Sequence, residues 1–312
     1  MRFFRFLFIL SNLLLLLIFS TELCKAQDDV EVLTDITKHW EINGTIGANE
    51  FFGDLGGNNG IGKPFIKDYT FKTVRPLVGL SASYHVKKWL AVNGGFNFTI
   101  VSAADSILPA NSSGDERWRW YRNLSFRSKI LEGYVSGTIY PVMMFTKDRE
   151  LHAFEPFVGF GIGVFHFNPQ TQYDGSWVDL KPLRLEGEGM KEYPNSKPYK
   201  LTQFYIPIDI GLKCYINNTF AISGGFTFRH TFTDYIDDVH GAYVDPAVFD
   251  EYLSPDQANL AKQLYSRSLT PWKVKPGVDR SSNKANDTYV NFFLTLHIRL
   301  DRGNYFYYGV GG

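Results

Sequence analysis

Cysteine and methionine are the scarcest residues of this chain, with two Cys and four Met among 312 residues. A disulfide framework is excluded by that count. Cys24 lies in the N-terminal leader, so cleavage after Ala26 leaves Cys214 alone, and one thiol builds neither a bridge nor a cysteine-based zinc site. Cys214 sits between Leu212 and Ile216 and reads as a small hydrophobe. Net charge is also missing: 32 basic residues balance 32 acidic ones, so nothing marks a nucleic-acid or anionic-surface partner. Beyond the leader no apolar run approaches the ~20 residues of a membrane-spanning helix. Nucleophile elbows, zinc-binding helices and paired-carboxylate spacings are absent as well. The expectation is no catalytic, cofactor-binding or metal residue, no cofactor and no small-molecule substrate.

The first residues do carry a pattern. Met1-Arg2-Phe3-Phe4-Arg5 precedes a Leu-rich stretch, and Cys24-Lys25-Ala26 ends it, as in a secretory signal with a small-x-small cleavage site. A membrane anchor is the competing reading, disfavoured by the short run and the cleavage site. A lipoprotein is disfavoured by Glu22 and Leu23 ahead of Cys24. The predicted organisation is a signal peptide over 1–26, a periplasmic segment over 27–39, a barrel over 40–300 and a periplasmic tail over 301–312.

What the mature chain has in quantity is two-residue alternation. Trp40, Ile42, Gly44, Ile46 and Ala48 face one way, and Glu41, Asn43, Thr45, Gly47 and Asn49 the other. The same split recurs over 74–86, 89–101, 130–142, 153–167, 203–216, 219–232 and 288–300. In the segment over 203–216, Phe204, Ile206, Ile208, Ile210 and Leu212 oppose Gln203, Tyr205, Asp209, Gly211 and Lys213. Each run has the length of a tilted transmembrane strand, and abundant Phe, Tyr and Gly fit such strands and their aromatic belts. The connections after the second, fourth and sixth strands are short. Those after the first, third, fifth and seventh run from about 20 to over 50 residues. The pattern predicts an all-β, eight-stranded antiparallel up-and-down transmembrane barrel, with both termini in the periplasm and long loops outside. Its partners would then be outer-membrane lipid and whatever meets the loops or turns. A soluble sandwich would not place every long loop on one side.

The inward positions include Glu41, Glu132, Glu155 and Asp209 against Arg75, Lys213, Arg229 and Arg299. Eight strands leave an interior that side chains can fill, so mutual pairing of these charges and a non-conducting lumen are expected. The candidate bases His85, His166, His230, His240 and His297 have no nucleophile beside them in the sequence, apart from Ser176 in the loop after His166. Asp234, Asp237 and Asp238 cluster in T-D-Y-I-D-D-V but lack calcium-loop spacing, and read as solvated or loop-anchoring. Ser254-Pro255-Asp256-Gln257 predicts a capped helix over 255–267, with Leu260, Leu264 and Tyr265 free to dock.

Several blocks, in order, carry a family resemblance. They are G-T-I-G-A-N-E-F-F-G-D-L from Gly44, Y-R-N-L-S-F-R-S-K-I-L-E from Tyr121, F-E-P-F-V-G-F-G-I-G-V-F-H-F-N-P from Phe154, Y-D-G-S-W-V-D-L-K-P-L from Tyr173, and F-R-H-T-F-T-D-Y-I-D-D-V from Phe228. Together they resemble the PorG-type outer-membrane barrels of Bacteroidota, part of the type IX secretion system. The resemblance implies a non-enzymatic accessory of protein secretion that associates with a periplasmic ring of lipoprotein and partner protein, linked to gliding in some hosts. A structural or adhesive small barrel with ligand-binding outer loops is the alternative. On this reading Tyr121, Arg122, Asn123, Arg127, Trp177, Asp234, Asp237 and Asp238 form an extracellular cap. Lys87, Lys88, Lys147, Asp148, Arg149 and Glu150 are the expected contacts with periplasmic partners.

Overall fold

The computed structural model describes residues 38–55, 72–108, 114–145, 154–217, 219–269, 274–281 and 285–300. The proposed signal peptide, almost all of the N-terminal segment and the tail lie outside them. Among these described residues nine strands form: β1 (His39–Phe52), β2 (Arg75–Lys87), β3 (Leu90–Ala104), β4 (Ser125–Ile139), β5 (Phe154–Tyr173), β6 (Ser176–Asp179), β7 (Thr202–Tyr215), β8 (Phe220–Thr231) and β9 (Thr288–Arg299). All pair antiparallel. Eight close into a barrel in the order β4-β3-β2-β1-β9-β8-β7-β5, with β5 returning to β4. The seam is β1 with β9, from Glu41 opposite Arg299 to Phe52 opposite Thr288. The short β6 folds back on the upper end of β5 and lies outside the ring.

Alternation decides which way each strand faces. Ile46, Leu80, Phe96, Val135, Ile162, Phe204, Ile210 and Leu294 are exposed, while Asn43, Ser83, Asn97, Glu132, Lys213 and Asn291 on the opposite faces are buried. An outer wall of Ile, Leu, Val and Phe is stable only against lipid tails. Closure leaves no strand edge unpaired in that medium. The protein is therefore an outer-membrane barrel. Trp40 and Tyr84, 4.9 Å apart between ring centroids, mark the rim nearest the termini.

Two strand boundaries depart from expectation. β4 starts at Ser125 and ends at Ile139 rather than spanning 130–142, because Pro141 has no N–H for a ladder and instead opens helix α2 (Pro141–Phe145). That is the second helix; α1 (Asp115–Arg122) precedes β4. β5 runs to Tyr173 instead of 167. Above the lipid its outward positions become His166, Asn168 and Gln170, and Asp174-Gly175, both with positive φ, turns it into β6. The short β7–β8 turn is held by Asn217, whose Oδ1 accepts from the backbone N–H of Thr219 and Phe220, each at 2.8 Å.

The long connections build a second packed unit above the barrel. Helix α3 (Phe249–Tyr252) precedes α4 (Pro255–Leu264), three residues shorter than the predicted helix. Ser254 caps α4 through its Oγ, which accepts from the Gln257 N–H at 3.5 Å and donates to the Gln257 side chain at 3.1 Å. Leu264 docks with Leu180, Leu183, Leu185, Met190, Val244 and Phe249, and Leu260 and Tyr265 pack at the margin.

The exposed wall generates a prediction. Phe96→Arg places a charge on the lipid face of β3 and should cost about 2–4 kcal/mol if it lies near the bilayer midplane. Urea unfolding of the barrel from liposomes measures the loss, and Asn97→Gln, one residue away on the inner face, should lack this lipid-face penalty.

Candidate functional site

Layers of side chains fill the lumen. Nearest the termini, Tyr140, Met143, Phe157 and Tyr215 pack with Ala91, Ala221, Trp89 and Phe293. Toward the loops, Phe165 contacts Phe167, Tyr205 and Tyr289 at centroid distances of 5.4, 5.8 and 6.3 Å. Gly163 makes this possible: a Cβ there would lie 2.3 Å from the Tyr205 ring. Between the layers a cavity of about 100 Å³ is lined by Asn43, Ser83, Asn93, Ser136, Asp209 and Thr227, among others. It admits water-sized groups, whereas ligand pockets start near ~300 Å³.

Two carboxylates organise the polar interior. Glu41 takes the Lys213 ammonium on both oxygens, at 2.7 and 2.8 Å. His39 and His85 stand 3.3 Å from it and His297 at 3.2 Å. Above, Glu132 meets the Arg229 guanidinium at 2.7 Å and accepts from Tyr289 at 2.7 Å, Asn97 at 2.9 Å and Tyr205 at 3.4 Å. Arg229 also donates to Asn291. Glu155 is buried directly across the sheet from Lys213, Arg299 stands opposite Glu41, and Asp209 stands opposite Thr227.

Arg75 is a correction. It does not enter the lumen; at the loop end of β2 it donates to the carbonyls of Lys72 and Val74, because the loop backbone offers acceptors within reach of its long side chain. The histidines around Glu41 are what sequence reasoning missed as a group. Their signal was available, since His39, His85 and His297 share the inward parity of Glu41, Ser83 and Thr295.

Two arrangements inside the barrel have the outline of chemistry. His39, Glu41 and His85 offer ligand atoms within 4.8 Å of one another, but the Lys213 ammonium already occupies both Glu41 oxygens. Ser223 Oγ lies 2.8 Å from His297 Nε2, and His297 Nδ1 lies 3.2 Å from Glu41, the order of a hydrolytic relay. Ser223 faces the water-sized cavity, which leaves no place for an acyl substrate. Of the other candidate bases, His166 contacts the Thr202 hydroxyl at 3.0 Å, His230 packs against Phe232, and His240 pairs with Asp234.

The predicted extracellular cap divides in two. Arg122 and the three aspartates are interior. Arg122 forks onto Asp105 at 2.8 and 2.9 Å and donates to the carbonyls of Asp54 and Arg280, each at 2.7 Å. One guanidinium thus joins three of the four long connections. Arg280 adds the fourth, donating to Glu186 at 3.0 Å and to the Asp238 carbonyl at 2.6 Å. Asn123 caps α1 in the left-handed conformation and donates to the Arg267 carbonyl at 3.2 Å. Tyr121 lies at the margin, its hydroxyl accepting from Arg117 at 3.0 Å. Arg127 and Trp177 do not belong to this interior. Arg127 has the outward parity of Leu131, so it stacks on Trp177 at 3.5 Å on the outer flank, above the lipid. Asp105, Glu186, Glu188, Arg280 and Asp287 were not foreseen, since single charged residues in loops carry no periodic signal.

The aspartates are not solvated. Asp234, Asp237 and Asp238 are 1–5 % exposed. Burial lifts Asp234 to about 7 and Asp237 well above the carboxylate range, with Asp54 nearby adding to both. Glu188, between the positive-φ residues Gly187 and Gly189, is raised to about 7 by burial and then by Glu186. Lys87 is exposed and Lys88 half-buried at the β2–β3 turn. Lys147, Asp148, Arg149 and Glu150 lie outside the described residues.

Two predictions follow from these charges. Lys213→Met leaves the Glu41 carboxylate buried without its ammonium and should destabilise the barrel by about 3–5 kcal/mol. Adding Glu41→Gln should recover most of it in urea unfolding. Glu188 has a folded pKa raised from 4.5 to about 7, so its contribution is full below about pH 4.5 and is lost as pH rises through 7. Glu188→Gln should flatten the dependence of thermal unfolding between pH 5 and 8 and gain on the order of 1–3 kcal/mol at pH 8.

No protein-family model matches the sequence, and no curated protein matches it. Among solved structures it is similar to the attachment invasion locus protein Ail of Yersinia pestis in complex with the heparin analogue sucrose octasulfate, at 8 % identity and TM-score 0.37, covering 85 % of this chain and 100 % of Ail. Neisserial surface protein A is similar at 8 % identity and TM-score 0.36, covering 84 % of this chain and 96 % of that one. The outer membrane protein OprG from Pseudomonas aeruginosa is similar at 11 % identity and TM-score 0.34, covering 86 % and 99 %.

Proposed function

We propose that this barrel is a non-enzymatic membrane anchor that works at its two ends, as an accessory of a type IX protein-secretion assembly. The observation that carries the anchoring role is the filled lumen. Aromatic layers and two neutralised carboxylates occupy the space a solute would need. With the wall committed to lipid and the interior to packing, recognition is left to the loops and the periplasmic turns. The assignment to secretion rests on the ordered sequence blocks, from Gly44-Thr45-Ile46-Gly47 to Asp234-Tyr235-Ile236-Asp237-Asp238, that resemble the PorG-type barrels. Its partners on this reading are the lipoprotein and ring proteins on the periplasmic side, met through the short turns that carry Lys87 and Lys88.

A second reading, an adhesive barrel, draws on a different feature. A cleft of about 770 Å³ opens between the long connections, lined by Glu186, Glu192, Tyr193, His240, Tyr243 and Asp279. Its size and mixture of rings and polar groups suit an external ligand.

Charge reversal at Lys87 and Lys88 separates the two. On the secretion reading, Lys87→Glu with Lys88→Glu lowers co-purification of periplasmic ring proteins and depletes the extracellular protein census, while the barrel still inserts. Normal assembly and secretion in that variant and in a gene deletion would remove the secretion assignment and leave adhesion.

A further inference from the structure

Among the described residues, the loop unit buries eight carboxylates and three guanidiniums. Asp54, Asp105, Glu186, Glu188, Asp234, Asp237, Asp238 and Asp287 are all at most 5 % exposed, against the buried guanidiniums of Arg119, Arg122 and Arg280. Arg122 is committed to Asp105 and two carbonyls, and Arg280 to Glu186 and the Asp238 carbonyl. Asp234, Asp237 and Asp287 act electrostatically on one another, with Asp54 close by. Like charges gathered at such depth are costly unless a cation joins them.

We propose that Asp234, Asp237 and Asp287, with Asp54 beside them, form a divalent-cation site of the calcium type, built where the loops enter the barrel mouth. Three of these side chains share one arrangement: one oxygen is anchored and the other is left over. Asp237 Oδ1 accepts from the Val239 N–H at 3.0 Å, Asp287 Oδ2 accepts from the Ile236 N–H at 2.8 Å, and Asp234 Oδ2 meets His240 at 2.8 Å. Asp237 Oδ2, Asp287 Oδ1 and Asp234 Oδ1 are buried and have no hydrogen-bond partner. Buried polar atoms are almost always satisfied, so three such oxygens in one cluster point to a ligand. Gly53 brings the Asp54 segment close, since a Cβ at Gly53 would lie 2.3 Å from Asp287 Oδ1.

The donor set selects the ion. The oxygens are hard and anionic and no thiolate is present, which suits Ca²⁺ or Mg²⁺ over zinc or copper. Ligands on irregular loops tolerate the variable coordination of Ca²⁺ better than the strict octahedron of Mg²⁺. No three of these carboxylates hold oxygens within 4.8 Å of one another. Like charges repel, and a divalent ion reverses that force, so ligation includes rotation of the side chains toward the ion. The ion would tie the first and last long connections at the barrel mouth, where the cell exterior supplies it.

The test uses the full barrel, stripped with EDTA, in lipopolysaccharide-free detergent micelles. Ca²⁺ should bind at one ion per chain in calorimetry, in the range of about 10⁻⁴–10⁻³ M typical of extracellular sites, and raise the thermal midpoint. Tb³⁺ should occupy the same site, emit when tyrosine is excited through Tyr235 beside Asp234, and be displaced by Ca²⁺. The variant Asp237→Asn with Asp287→Asn should weaken Ca²⁺ at least about tenfold, since even the outer-shell partners of a metal are worth that much. Neutral amides relieve the repulsion, so the variant should still fold, as heat-modifiable gel mobility reports. If it does not fold, wild-type protein decides the matter. Absence of saturable Ca²⁺ binding up to about ten times that range, or a folded double variant that binds as well as wild type, would overturn the site.

Discussion

Closure of the sheet in hydrocarbon is the constraint on which everything else depends. Between Glu41 and Phe52, β1 pairs with β9 residue for residue, and this seam removes the last free strand edge. In lipid an unpaired backbone group costs several kcal/mol, so a sheet that failed to close there could not stay in the membrane. Eight strands closed in this way give a narrow interior. Whatever points inward must then pack and neutralise itself. Glu41 and Glu132 do so by collecting donors from several strands, and the aromatic rings fill the space above and below. The filled lumen is thus a consequence of strand number combined with inward side-chain size.

The loop unit obeys the opposite logic. It lies in water, where backbone needs no closed sheet, and it is held by few, strong, buried interactions. Arg122 and Arg280 gather carbonyls and carboxylates from all four long connections, while α4 and its neighbours supply an apolar core of their own. Guanidinium suits this work because its fixed fork of donors stays charged when buried. The two arginines sit among buried carboxylates, several of them with pKa values raised by burial, so the unit's stability depends on pH.

Much of this was legible in the chain. The barrel strands, their facing, the one-sided loops and the Ser254 cap follow from local rules with a fixed period. Glu41, Lys213, Glu132 and Arg229 could be placed on the inner face, though not paired with one another, because parity assigns a face and says nothing of height or rotamer. Arg75 shows the limit: its parity is inward, but at the strand's end it reaches loop carbonyls instead. Arg127 shows the same limit from the other side: its outward parity with Leu131 sets it, with Trp177, on the outer flank. Pro141 and Asp174-Gly175 were local signals that a closer count of turn chemistry would have read correctly.

The sequence by itself determined that greasy and polar residues alternate, and with that the closed sheet, the membrane and the side on which the loops emerge, because a period of two acts within each strand without reference to distant residues. Only the tertiary structure decided that His39, His85 and His297 surround Glu41, that one arginine binds three loops, and that aspartates from the first and last connections share a buried space. Those contacts join residues up to 256 positions apart, as His297 does with Glu41, and no local pattern encodes a meeting that exists only once the ring has closed.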